Sequence, residues 1–153
     1  MVKAKKKPFE EIKQAIEGYT RVLNIGCGGC VSVCLAGGQK EVNLLNIQLN
    51  AAFSGENKAT RVDSFTVERQ CNEVFLAELD KVVPRYDGLM SMACGAGVQL
   101  LAERYPDKPV FPAVNTISIG IDRQIGVYEE RCRACGECVL GYTGGICPIT
   151  RCA

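Results

Sequence analysis

The sequence predicts an α/β domain built on a four-stranded parallel sheet, followed by a cysteine-rich C-terminal segment. Two observations lead to that fold class. Short apolar runs alternate with stretches whose apolar residues recur at helical spacing, the rhythm of βαβ units joined by right-handed crossovers. Five of the ten cysteines then crowd between Cys132 and Cys152. A chain of 153 residues can bury the core of one domain and carry a small appendage. The expected organisation is a basic tail and helix over residues 1–20, the α/β domain over 21–120, and a ferredoxin-like cysteine-rich segment over 121–153.

In chain order, Lys3, Lys5, Lys6 and Lys7 mark a mobile solvated tail, with a docking patch as the other reading. Pro8 opens a helix in which Phe9, Ile12, Ile16 and Tyr19 fall on one face, with Gly18 near its stop. Arg21–Ile25 is a short apolar strand that runs straight into Gly26-Cys27-Gly28-Gly29-Cys30. Val42, Leu45, Leu49, Ala52 and Phe53 form the next helical stripe, ended by Ser54-Gly55. Val62–Val67 is the second strand and leads to Cys71; a helix through Val74, Phe75, Leu79 and Val82 follows and closes at Pro84. Gly88–Ala93 is the third strand, ending at Cys94, and Ala96–Tyr105 is a helix stopped before Pro106. Val110–Val114 is the fourth strand.

Composition narrows the function. A net charge of +1 lacks the basic excess of a nucleic-acid protein. No apolar run is long enough to span a bilayer, and the lysine-rich start lacks the apolar core of a signal peptide, so a cytoplasmic protein without membrane insertion is expected. In that compartment ten cysteines read as metal ligands, because ordinary thiols stay reduced there. The absence of histidine excludes Rieske centres, Cys/His zinc fingers and any imidazole base. Glu129, Glu130, Asp122 and Glu137 are scattered charges rather than an acid–base pair, so no catalytic residues are assigned.

The cysteines form two sets. Cys132, Cys135 and Cys138 are spaced by two residues, a pattern that lets three thiolates converge on one iron–sulfur cubane. Cys147, fixed by Pro148 and preceded by the permissive Gly144-Gly145, is preferred as the fourth ligand, with Cys152 as the alternative. Structural zinc and a disulfide framework are the competing readings. The ferredoxin run has three residues before its Cys-Pro where this chain has eight. The other set is Cys27, Cys30 and Cys34 after the first strand, Cys71 after the second and Cys94 after the third. All of these positions lie at the carboxyl edge of a parallel sheet, where open α/β folds bind ligands. Cys94 is preferred as the fourth ligand because a helix begins beside it, with Cys71 as the alternative. A single buried cysteine can also be a small hydrophobe. A nucleotide is the rival for the glycine-rich turn, but Val31 stands where the third glycine of the fingerprint belongs. Each set can supply four thiolates, so two 4Fe–4S clusters are expected, with zinc at one site as the alternative.

Cys27-Gly-Gly-Cys30-x3-Cys34, Ala93-Cys94-Gly-Ala-Gly-Val-Gln99 and the run from Glu130 through Cys138 to Cys147-Pro-Ile-Thr-Arg-Cys152-Ala153 resemble one family. It is the small iron–sulfur subunit (MetV-type) of methylenetetrahydrofolate reductases of acetogenic bacteria, also called the reductase C-terminal domain. The resemblance spans roughly residues 20–153, and its last motif is the most specific part. Members usually run on past the position of Ala153 through a further cysteine-containing tail. The resemblance implies an electron-transfer subunit of the Wood–Ljungdahl pathway that feeds the flavin of a TIM-barrel reductase partner. Flavin and folate chemistry would then belong to the partner, and ferredoxin is a candidate donor. The expected fold is flavodoxin-like in outline. The apolar Val139, Leu140, Tyr142, Ile146 and Ile149 suggest that the terminal cysteine set faces the flavoprotein.

Overall fold

In the computed structural model, the described residues are 1–124, 127–133, 135, 136, 138, 140, 142, 144, 145 and 147. Two sheets organise them. The larger contains β2 (Arg21–Cys27), β3 (Arg61–Val67), β4 (Gly88–Ser91) and β5 (Val110–Pro112), all parallel, in the order β3-β2-β4-β5. These are the four strands expected from the sequence, with no boundary shifted by more than two residues. The chain turns outward on opposite sides of β2 and β4, so a crevice opens above their carboxyl ends.

Helices cover both faces, which is why apolar residues of β2 point both ways. Val22 of β2 faces α1 (Phe9–Ile16) and α3 (Gln39–Gly55) in one core with Ile12, Ile16, Val42, Leu45, Leu49 and Phe53. Leu23 and Ile25 face the other core, formed with Leu76, Leu79 and Val83 and with Leu101 of α5 (Gly95–Arg104). A polar pair interrupts the first core: Asn24 Nδ2 donates to Asn46 Oδ1 at 2.7 Å, with both residues buried. The helix expected through Val74–Val82 is instead a single turn, α4 (Glu73–Leu76), capped by Asn72 and continued by 3-10 turns at Ala77–Leu79 and Val83–Arg85. Pro84 sits within the last of these turns.

The second sheet departs from the sequence reading. Val2–Lys6, expected as a mobile tail, form β1, which pairs antiparallel with β6 (Val114–Gln124); β6 pairs in turn with β7 (Val127–Cys132). The lysines of β1 occupy an edge strand, where charge blunts edge-to-edge pairing. Lys7 pairs with Glu11, and Lys3 lies over the ring of Tyr128. Among the described residues, no helix is long and apolar enough to cross a membrane.

Candidate metal centre at the carboxyl edge

β2 delivers Cys27 to the crevice, with 6% of its surface exposed. The chain then turns through Gly28-Gly29 into α2 (Cys30–Val33), a single helical turn closed by Cys34. The loop folds tightly back on the sheet: Cys27 N–H donates to Gly37 O and Gly28 N–H to Val67 O, each at 2.9 Å. A Cβ at Gly37 would lie 1.9 Å from Met92 O, so only glycine fits there. The loop amides of Cys27 and Gly28 are thus held by carbonyls, which removes the phosphate cradle that the glycines suggested.

The electrostatics around Cys27 identify its neighbours. Burial pushes its thiol above the ordinary value of 9.0; backbone N–H groups of Gln70 and Gly29, donating to the sulfur, pull it back; Cys71 and Cys94 push it up further. The sheet therefore brings Cys27, Cys71 and Cys94, which follow three different strands, to one place. Amide donors at a sulfur favour its thiolate form, the form that binds metal. Cys94 also caps α5, whose positive N-terminal end favours negative charge beside it.

Cys30 and Cys34 stand differently. Cys30 is half-buried at the start of α2. Cys34 turns toward the second sheet: its Sγ lies 3.5 Å from Val2 O, and it helps burial raise the Tyr128 hydroxyl above its usual value. The five edge cysteines are free thiols. Among the described residues, no three of the His, Cys, Asp or Glu side chains stand as a preformed metal-binding group. The donor chemistry fits a thiophilic metal or cluster, which would draw the remaining thiols around Cys27.

In the terminal set, Cys132 ends β7 and is exposed, as are Cys135 and Cys138, while Cys147 is half-buried. Gly136, Gly144 and Gly145 adopt φ of 87°, 62° and 86°, and Gly145 N–H closes a turn onto Leu140 O at 2.9 Å. Tyr142 is 92% exposed, and Leu140 is also exposed. Cys152, Pro148, Glu137, Val139, Ile146 and Ile149 lie outside the described residues.

A cavity of about 470 Å³ separates the start of α5 from the second sheet, lined by Cys94, Gly95, Thr116, Ile117, Ile119 and Arg133 among others. Gly95 N–H donates to Thr116 Oγ1 at 3.1 Å across its floor. Ile119 is the register partner of Cys132, so the terminal cysteine run leaves the sheet beside the same cavity that Cys94 enters. The sequence reading missed this proximity because it missed β6 and β7. It also missed Gln70 and Ser91, which are buried polar residues at the crevice; their only sequence signal is position beside Cys71 and at the end of a strand.

The charged residues of β7 are paired: Glu129 with Arg123 and Arg131, and Glu130 with Arg133. No curated protein and no solved structure matches the chain. One family model does match, over residues 111–153, under a third of the chain. The matched stretch begins in β5, takes in β6 and β7 and contains the terminal cysteine set, while Cys27, Cys30, Cys34, Cys71 and Cys94 lie before it. That stretch is similar to the family described as methylene-tetrahydrofolate reductase C terminal.

Proposed function

We propose that the chain is an electron-transfer subunit that holds two 4Fe–4S clusters and passes electrons to the flavin of a partner methylenetetrahydrofolate reductase. The observation that carries the redox reading is the placement of Cys27, Cys71 and Cys94 at the carboxyl ends of three adjacent parallel strands, β2, β3 and β4. The similarity of residues 111–153 to a reductase C-terminal family supports the choice of partner. The strand order supports a flavodoxin-like outline.

Clusters bound here would supply one-electron redox steps. Cys27, Cys30, Cys34 and Cys94 would hold the first, with Cys71 as the alternative ligand. Cys132, Cys135, Cys138 and Cys147 would hold the second, with Cys152 as the alternative. Amides at the Cys27 sulfur and at the start of α5 would stabilise negative charge, which raises the potential of the edge site. The exposed Leu140 and Tyr142 offer apolar surface beside the terminal site, so that site is the one assigned to the flavoprotein. The lysines of β1 offer an acidic ferredoxin a landing surface whose attraction salt would screen.

An anaerobic metal and sulfide count tests the core of this reading. Two cubanes require about eight irons per chain, with matching sulfide and little zinc. A count near four irons and one zinc means that one site is structural, and the relay is then wrong. The order of the relay is tested by substitution. Cys135→Ser should block flavin reduction by the external donor while a small artificial reductant still reduces the flavin. Cys30→Ser should leave the terminal site loaded but cut off from the donor; normal donor-to-flavin rates in that variant would reverse the order.

A further inference from the structure

We propose that Gln70 is the positioning residue of the carboxyl-edge cysteine site, locking the three loops that carry Cys27, Cys71 and Cys94 into one frame. Strands β2 and β4 pair as far as Ile25 and Ser91, and then separate at the crevice. The Gln70 side chain fills that separation, with no exposed surface. Its Nε2 donates to Ile25 O at 2.7 Å, and its Oε1 accepts from Ser91 Oγ at 2.7 Å. Ser91 Oγ accepts in turn from Ala93 N–H at 3.3 Å, one residue before Cys94. Ile25 O also accepts Met92 N–H at 2.9 Å, so one carbonyl of β2 holds the loop after β3 and the loop after β4.

The packing is as specific as the bonding. A Cβ at Gly97 would come within 2.8 Å of the Gln70 Cβ and 2.7 Å of the Ala93 Cβ, so α5 rests directly on this residue. Cys71 follows Gln70 in the chain, and Ile25, whose carbonyl takes the Gln70 amide, lies two residues before Cys27. One residue therefore touches, or is covalently joined to, each loop that brings a thiol to the edge.

The assignment rests on the edge cysteines acting as a ligand site, and its test separates the two ideas. Cys27 labelling by iodoacetamide in the metal-free full chain, followed by peptide mass spectrometry, reports how firmly the loops are held. Gln70→Met keeps the side-chain volume and removes both of its bonds; Ser91→Ala leaves the Ile25 bond and removes the Oε1 bond, along with the acceptor of Ala93 N–H. Val62→Ala, at the opposite end of the sheet, serves as a destabilised control with a comparable unfolding midpoint. Cys27 should label at least about tenfold faster in Gln70→Met than in the control, the change expected from losing roughly one buried hydrogen bond. Ser91→Ala should fall between them, and decides alone if Gln70→Met does not fold. In the iron-loaded chain, the EPR g values of the edge site should shift in both variants and stay fixed in the control. Equal labelling in the variants and the control overturns the proposal. A wild-type chain that takes up no iron sinks the redox reading while leaving the labelling result to stand or fall by itself.

Discussion

The thiol of Cys34 donates to the carbonyl oxygen of Val2 at 3.5 Å, so the first cysteine loop is closed over by the start of the chain. β1 is held by its register with β6 from Val2↔Ile119 to Lys6↔Val114, and by the terminal amine of Met1 on Gly120 O at 2.7 Å. Removing residues 1–6 should cost roughly 2–4 kcal/mol, the net worth of a handful of backbone hydrogen bonds. It should also open Cys34 to alkylation. Urea unfolding and residue-resolved thiol labelling check both outcomes; unchanged Cys34 labelling would show that β1 does not cover it.

Gly37→Ala should be among the most damaging single-methyl changes in the molecule. The added carbon would lie 1.9 Å from Met92 O, and the obstacle is backbone rather than a movable side chain. The expected loss is about 3 kcal/mol, at the upper end for overpacking. Thermal unfolding measures it, and metal uptake at the edge site should fall with it because the loop bearing Cys27 cannot close.

The buried amide pair behaves as a unit. Asn46→Leu leaves Asn24 Nδ2 with only the Met92 sulfur, at 3.5 Å, and should cost about 1–3 kcal/mol. Asn24 Oδ1 already lacks a partner among the described residues. Adding Asn24→Leu to Asn46→Leu should therefore recover part of the loss, and a double-mutant cycle in urea would read the coupling. Strict additivity would mean that the pair is not coupled.

Asp80 sets an acid-limb prediction. Hydrogen bonds from Arg104 and then Tyr105 lower its carboxyl from 3.8 to about 2. A depressed folded value means that its contribution is present above the unfolded value and is lost as pH falls through the folded one. Wild type should lose this contribution between about pH 4 and pH 2, and Asp80→Asn should flatten that part of the profile. Tyr105 has the opposite sense: burial, followed by the Asp80 bond, raises it to about 12. Its contribution is present below about pH 10 and disappears as pH climbs toward the raised value. Unfolding midpoints across pH for Asp80→Asn and Tyr105→Phe test both limbs.

How much of this was legible in sequence depended on how each residue announces its surroundings. Val22 on one face of β2 and Leu23 and Ile25 on the other are apolar because both faces are covered, and that pattern marks a parallel strand. The alternation Ile117, Ile119, Ile121 was also present on β6, yet its exposed isoleucines and charged flanks do not mark a core strand. β1 is harder still, since its lysines suit either a solvated tail or an edge strand. Only a partner more than a hundred residues away distinguishes them. The convergence of Cys27, Cys71 and Cys94 followed from strand order alone. The turning of Cys34 toward Val2 did not, because it depends on the unread second sheet. Gln70 had no pattern to reveal it: a polar residue in a loop looks solvated until the crevice it fills is known.

The pairing of Met1 with Gly120, 119 residues apart in sequence, sets an order of assembly on the ribosome. Strands β2 to β4 and their helices can pack as soon as they emerge, whereas β1 must wait until β6 has been made. During that interval the parallel sheet presents its cysteine edge with Cys34 still uncovered. Closure by β1 then waits for β6, and Cys34 is covered only once the two strands pair.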